Sequence, residues 1–181
     1  AESSSATIVI VENGPSPGQV YYVAEDGDDG DPGTKDAPFA TLAHALSQMA
    51  AGDTVYLFDG TYTNPNFTEN HGADGTVQIR NGVLALITQT GASDRWTTIA
   101  AYPDGNDIRP ILRFDGSGGL QIKEGASHIV IEGLEIYGPN ESIKEEWAHA
   151  HRWTKEAFYT GRGIFTWGPV HHIVVRDCHV H

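Results

Sequence analysis

The sequence predicts an all-β fold, a single-stranded parallel β-helix whose coils stack as a solenoid. Residues 119–137, GLQIKEGASHIVIEGLEIY, align without a gap with residues 163–181, GIFTWGPVHHIVVRDCHVH, at an offset of 44 residues. Apolar residues return at the same positions of the two copies, whereas the polar residues between them change. A unit that repeats in this way cannot bury its apolar face alone and must stack on its neighbours.

Each copy is predicted to form one three-sided coil of short strands. In the first copy the strands cover 120–122, 129–131 and 134–136, and the polar pair Glu132-Gly133 forms a tight bend. The period-two alternation of apolar residues excludes a helix and places one set of side chains inside the coil. Equivalent residues of successive coils then lie about 4.8 Å apart, which is the ordinary spacing of paired strands.

The chain before the repeat is predicted to begin the same solenoid and to carry one helix. The helix is expected over 38–51, because Phe39, Leu42, Leu46 and Met49 share one face. We expect it to act as an N-terminal capping helix over the open end of the first coil. The expected strands lie at 7–11, 20–23, 53–62, 83–88, 97–102 and 110–114.

The segment 138–162 separates the two copies and does not read as another coil. It is rich in helix formers and lacks apolar alternation, and Ser142 with Glu145 forms a capping-box pattern. We interpret it as a loop or short helix that projects from the solenoid wall, where inserts usually line a binding face.

The predicted organisation has two parts. Residues 1–63 hold the N-terminal strands, an acidic loop, the capping helix and the first coil strand, and residues 64–181 hold the coils with the insert. The last residues lie inside a strand without a polar cap, so the solenoid is expected to continue beyond 181.

Composition limits the partners of the chain. Its 181 residues suit one domain, and 11 Lys and Arg against 24 Asp and Glu give a formal charge of −13. This charge argues against nucleic acid or an anionic membrane as the main partner. No stretch approaches the roughly 20 apolar residues of a membrane span. The start AESSSAT is typical of a mature end after signal-peptide cleavage, which favours a secreted protein, and trimming of the polypeptide is the alternative.

The acidic loop 26–33, DGDDGDPG, is a candidate calcium site. Hard carboxylate oxygens suit Ca²⁺, and four carboxylates this close repel one another unless a cation or solvent intervenes. The loop is not an EF-hand, because the twelfth position counted from Asp26 is Ala37, and a solvated turn is the alternative. The candidate metal ligands are Asp26, Asp28, Asp29 and Asp31.

The run YYVAEDGDDGDPGTKDAPFATLAHALSQMAAGDTVYLFDGTYT, residues 21–63, resembles the opening of a known family. Its tyrosine-rich strand, acidic PGT loop, APFATL helix start, GDTVYL strand and GTY turn are similar to the N-terminal portion of secreted right-handed parallel β-helix proteins. This is the pectate-lyase-like superfamily, which includes polysaccharide lyases resembling pectate lyase, alginate lyase and chondroitinase B. The resemblance implies a right-handed β-helix and an acidic polysaccharide as partner.

The function that the resemblance implies is a lyase that cleaves a uronic-acid-containing polysaccharide by β-elimination. Such an enzyme neutralises the carboxylate, removes the neighbouring proton and protonates the leaving oxygen. The first task requires Ca²⁺ or Arg, and the two proton transfers require Lys, Arg, His or Tyr. A β-helix glycoside hydrolase with paired carboxylates and a noncatalytic carbohydrate-binding or adhesion protein are the alternatives.

The candidate site residues come from the insert and the last coil. Arg176 has an alternative role in an ion pair with Glu132 one coil below, and His128 and His172 have one as structural residues of a turn. His179 and His181 form a weak metal-ligand pattern, with solvated histidines as the alternative. The catalytic candidates are Arg162, His172, Arg176 and Lys155, and the substrate-binding candidates are Trp153, Trp167, His179 and His181.

Overall fold

The computed structural model describes residues 18–65, 67, 82–138, 146, 149–150 and 162–181. The predicted strand at 7–11 lies outside these residues, and so does nearly all of the insert at 138–162. The described residues form mostly β-strands, together with one complete helix, and residues 146 and 149–150 are also helical. The elements are β1 (Val20–Val23), α1 (Leu42–Gln48), β2 (Thr54–Leu57), β3 (Thr61–Thr63), β4 (Val83–Ile87), β5 (Thr97–Ala101), β6 (Ile111–Arg113), β7 (Gly118–Ile122), β8 (Ser127–Glu132), β9 (Glu135–Tyr137), β10 (Ile164–Thr166), β11 (His171–Arg176) and β12 (His179–Val180).

The strands form three parallel sheets, and each coil contributes at most one strand to each sheet. The first sheet has the order β1-β2-β5-β8-β11, the second β3-β6-β9-β12 and the third β4-β7-β10. Every pairing between these strands is parallel. From β2 onward, successive strands belong to the first, second and third sheets in turn. The prediction of a parallel solenoid therefore agrees with the observed topology.

The two copies of the sequence repeat form two stacked coils, and equivalent residues of the copies pair with each other. Leu120 pairs with Ile164, Ile129 with Ile173, and Ile136 with Val180 in the three sheets. The preceding coil is shorter, because Thr97 pairs with Ile129 in the first sheet. The loops between strands therefore absorb differences in coil length while the strand register is maintained.

The core lies inside the coils, as the alternation predicts. Along β8, buried residues alternate with partly exposed ones, and both Ile129 and Ile131 are completely buried. The corresponding inward residues of the neighbouring strands join the same cluster. These include Val55, Leu57, Ile87, Ile99, Leu112, Leu120, Leu134 and Ile136.

Two left-handed backbone positions recur in the repeat. Gly133 and its equivalent Asp177 have φ of 72° and 52°, and His128 and its equivalent His172 have φ of 55° and 54°. Glycine adopts this region freely, and Asp and His adopt it more readily than most other residues. The repeat thus keeps the backbone conformation at Gly133 and Asp177, where the residue type changes. His128 and His172 lie within β8 and β11, so their structural role in a turn stays a prediction.

The helix is shorter than the predicted 38–51. Phe39 instead continues a β-like pairing with β1, because its N–H donates to the Tyr22 carbonyl and its carbonyl accepts from the Ala24 N–H, each at 2.9 Å. Thr41 is the N-cap, and its hydroxyl accepts from the His44 N–H at 3.1 Å. The four predicted apolar positions are nevertheless buried. No helix among the described residues has the length and apolarity needed to cross a bilayer.

Asp29 of the acidic loop fixes the start of the helix, and its removal is expected to destabilise the fold. Its Oδ1 accepts from the Ala40 and Thr41 N–H groups at 2.9 Å, and its Oδ2 accepts from the Thr41 hydroxyl at 2.8 Å. Asp29→Ala is expected to lower the free energy of unfolding by about 1–2 kcal/mol, the usual cost of a lost cap. Urea denaturation measures this change. Asp31→Ala is the matched control, since exposed substitutions usually stay within about 0.5 kcal/mol, and equal losses would contradict the role of Asp29.

Candidate functional site

Two of the predicted site residues, Arg162 and Trp167, lie together beside β10. The Arg162 guanidinium carbon lies 4.4 Å from the centroid of the Trp167 ring and 5.5 Å from that of Phe165. The Thr166 hydroxyl donates to the Gly168 carbonyl at 2.7 Å and accepts from the Gly168 N–H at 3.2 Å, which tightens the turn that carries Trp167. Trp167 remains 66% exposed. An exposed aromatic ring beside a guanidinium is suited to bind a sugar ring that carries a carboxylate.

A second group gathers at the start of β8 and β11, where three histidines meet. The rings of His128 and His172 stack with centroids 4.5 Å apart and an interplanar angle of 4°. His171 Nδ1 lies 2.7 Å from His172 Nδ1. The Trp96 ring packs edge-on against His128 at 5.3 Å and His172 at 6.4 Å. Partial burial lowers the pKa of His128, and the neighbouring His172 and His171 lower that pKa further, so the neutral imidazole is favoured here.

Arg176 lies at the other end of β11 and forms an ion pair. Its Nη2 donates to Glu132 Oε2 at 2.8 Å, which confirms the predicted pair between successive coils. The hydrogen bond and the charge of Glu132 raise the pKa of Arg176, and Asp177 adds to this. The catalytic assignment of Arg176 stays a prediction.

His179 and His181 lie on the second sheet, in or directly after β12. Their ring centroids are 6.5 Å apart. His181 Nε2 lies 3.2 Å from Glu135 Oε1, and the His181 ring lies 5.3 Å from that of Tyr137. The Arg113 guanidinium lies over the Tyr137 ring at 5.8 Å. Cationic and aromatic side chains of successive coils thus line the outer face of this sheet.

The acidic loop does not gather its carboxylates around one point. Both carboxylate oxygens of Asp29 accept hydrogen bonds from the segment directly before the helix, and Asp28 Oδ1 accepts from the Gly30 N–H at 2.8 Å. Within the part of the chain that the structure describes, one group of three His, Cys, Asp or Glu side chains has donor atoms within 4.8 Å of one another, and it is the histidine group. Asp26, Asp28, Asp29 and Asp31 have the donor type for Ca²⁺ but not this geometry, so calcium stays a prediction.

Two of the predicted site residues, Lys155 and Trp153, lie outside the described residues. Trp96 and Arg113 were not predicted as site residues. Trp96 directly precedes Thr97, whose pairing with Ile129 brings Trp96 beside His128. No repeat in the sequence marks the length of that shorter coil, so the sequence carried no signal for the contact.

Comparison with known proteins agrees with the β-helix architecture. A family model described as "Pel9A-like, right handed beta helix region" matches residues 21–166. The uncharacterized protein YwoF of Bacillus subtilis (strain 168) is 30% identical over 164 residues, which cover 90% of this chain and 29% of YwoF. Pectate lyase PEL9 of Emericella nidulans is 50% identical over 42 residues, which cover 23% of this chain and 10% of that protein.

A solved structure, named rhamnogalacturonan lyase, superposes with a TM-score of 0.52 and 26% sequence identity. The match covers 67% of this chain and 29% of the rhamnogalacturonan lyase chain. This chain therefore spans less than a third of the length of each of these three proteins.

Proposed function

This chain belongs to the Pel9A-like right-handed β-helix family, and on that premise we propose that it is part of a polysaccharide lyase. The proposed substrate is an acidic, uronic-acid-containing polysaccharide, and the proposed reaction is β-elimination. Two similar proteins, pectate lyase PEL9 and the rhamnogalacturonan lyase, are named as lyases of such polymers, which supports the proposal. Because polysaccharides do not cross membranes unaided, the proposed activity is exerted outside the cell.

The observation that carries the proposal is the pairing of Arg162 with Trp167. Trp167 is two-thirds exposed although it is a large aromatic residue, and the Arg162 guanidinium lies over its ring at 4.4 Å. Sugar rings stack on aromatic faces, and a guanidinium binds a carboxylate through two parallel hydrogen bonds. The Trp167 ring can therefore contact the sugar ring of a uronic acid, and the Arg162 guanidinium can bind its carboxylate.

The chemistry assigns a defined task to Arg162. In β-elimination, the proton on the carbon next to the carboxylate leaves to a base, its electron pair forms the new double bond, and the bond to the leaving oxygen breaks. Negative charge accumulates on the carboxylate as the proton leaves. A cation held against that group stabilises the charge, so Arg162 is proposed to lower the barrier to proton removal.

We also propose that α1 closes the open end of the first coil. Its residues Leu42, Ala45 and Leu46 are buried, and the helix contacts β1, β2 and β4. A terminal coil of a solenoid needs such a cover for its apolar interior. The helix would then support the fold and take no part in catalysis.

The proposed activity is tested with the full-length protein and a panel of polysaccharides: polygalacturonate, rhamnogalacturonan, alginate and chondroitin sulfate. A lyase is expected to yield products with an unsaturated end that absorbs in the ultraviolet, from at least one polymer. Mass spectrometry should show that no water was added on cleavage. Products that gained one water indicate a hydrolase, and saturable binding without product indicates a noncatalytic binding protein; either result overturns the proposal. Parallel assays with and without added Ca²⁺ test the predicted role of calcium.

A further inference from the structure

Three imidazoles converge on one point outside the Arg162–Trp167 pair. Each of His128, His171 and His172 offers one ring nitrogen, and these three atoms all lie within 4.8 Å of one another. Tetrahedral coordination with metal–nitrogen bonds of about 2.0–2.1 Å places ligand nitrogens about 3.4 Å apart. Because an imidazole nitrogen binds a metal ion in the plane of its ring, the parallel rings of His128 and His172 must rotate about their side-chain torsions to point at a common ion.

The backbone of the repeat brings the group together. His128 and His172 are equivalent residues of stacked coils, and both have left-handed backbone conformations, with φ of 55° and 54°. Their rings stack almost parallel at 4.5 Å, close to the spacing of the strands that carry them. A left-handed residue other than glycine is uncommon and often accompanies a functional constraint. Here the same uncommon conformation is present in both coils that supply the rings.

The surroundings of the histidines resemble the support that a metal site requires. His128 Nδ1 lies 3.0 Å from the hydroxyl of Ser127, a residue that is only 4% exposed. A metal-bound histidine usually places its second ring nitrogen on such a hydrogen-bond partner, which fixes the ring orientation. Trp96 packs edge-on against both stacked rings and walls one side of the group. His171 and His172 are exposed, so an ion and a fourth ligand have access from solvent.

We infer that His128, His171 and His172 form a binding site for a divalent late transition-metal ion of the Zn²⁺, Ni²⁺ or Cu²⁺ class. Three neutral imidazoles suit these borderline ions, whereas Ca²⁺ and Mg²⁺ prefer oxygen ligands. The ion would replace the contact between His171 Nδ1 and His172 Nδ1, which are 2.7 Å apart. Its ligands would come from both β8 and β11, which are neighbouring strands of adjacent coils. The inference does not rest on the proposed lyase activity.

Metal titration of the chelator-stripped full-length protein tests the inference. Isothermal titration calorimetry with Zn²⁺, Ni²⁺ and Cu²⁺ measures affinity and stoichiometry, and Cu²⁺ electron paramagnetic resonance detects coordinated imidazole nitrogen. We expect a bound ion with imidazole ligands and a thermal unfolding midpoint that rises with metal concentration, because the ion binds the folded chain preferentially. His171→Ala is expected to weaken the affinity at least about tenfold, as loss of a supporting residue alone commonly does.

The variants are chosen so that they fold. His128→Asn and His172→Asn retain a residue type that tolerates the left-handed conformation, and His171→Ala changes an exposed side chain with an ordinary backbone. His149→Asn removes an exposed histidine outside the group and is the matched control. Circular dichroism of the metal-free variants verifies folding. Absence of binding in the parent protein, or equal affinity in the parent and the three variants, overturns the inference; selective loss in these variants and retention in His149→Asn supports it.

Discussion

Replacement of Ile131 by alanine is expected to lower the free energy of unfolding by about 2–5 kcal/mol. Ile131 lies in β8, is completely buried and pairs with Ile99 and Val175 in the adjacent coils. Truncation removes apolar contacts and leaves a cavity, because strands on both sides hold the backbone in place. Urea denaturation followed by circular dichroism measures the loss, and hydrogen exchange locates it in β5, β8 and β11.

The neighbouring Val130→Ala is the control for this prediction. Val130 lies on the same strand and points to the opposite face, where it is only partly buried. Its truncation is expected to cost about 1 kcal/mol or less, since a partly exposed side chain leaves no closed cavity. A similar loss for both variants would show that the inward and outward assignment of β8 is wrong.

The strands were predictable because burial in a solenoid imposes a period of two on the sequence. The predicted strands at 83–88, 97–102 and 110–114 correspond to β4, β5 and β6 within one residue at each end. The repeat offset also gave the register, since equivalent residues of stacked coils face one another in all three sheets. Periodicity alone predicts whether a side chain points inward or outward. The repeat also predicts the residue with which it pairs in the next coil.

The helix boundaries were not predictable in the same way, because a side chain distant in sequence determines them. Phe39 has the helical spacing to Leu42 and Leu46 and is buried with them, so the apolar pattern includes it in the helix. The Asp29 carboxylate binds the N–H groups of Ala40 and Thr41, and Phe39 pairs with β1. Tertiary hydrogen bonds thus begin the helix three residues after Phe39.

The histidine group was only partly visible in the sequence. The repeat identified His128 and His172 as equivalent residues, and both have a left-handed backbone. Trp96 belongs to the shorter coil, in which Thr97 pairs with Ile129, and no repeat in the sequence reveals that offset. Contacts between coils of unequal length can be identified only when the fold is known.

The prediction with the largest expected effect on activity concerns Arg162. Arg162→Ala is expected to lower kcat/KM on the acidic polysaccharide about 100-fold to 1000-fold, the range observed when one preorganised charge-stabilising donor is removed. Arg162→Lys retains the charge but loses the planar pair of donors, so an intermediate loss is expected. The rate of formation of the ultraviolet-absorbing product measures both effects.

Arg109→Ala separates this role from a general loss of positive charge. Arg109 is partly buried, as Arg162 is, but its Nε donates to the Asp177 carbonyl at 3.1 Å, on another part of the coil. Its removal is expected to leave kcat nearly unchanged, because among the described residues no tryptophan ring lies under its guanidinium as Trp167 lies under that of Arg162. Trp167→Ala is expected to raise KM more than it lowers kcat, since stacking holds the sugar before and during reaction alike. Equal activity of Arg162→Ala and the parent would contradict the assignment of the carboxylate to Arg162, even if the protein proved to be a lyase.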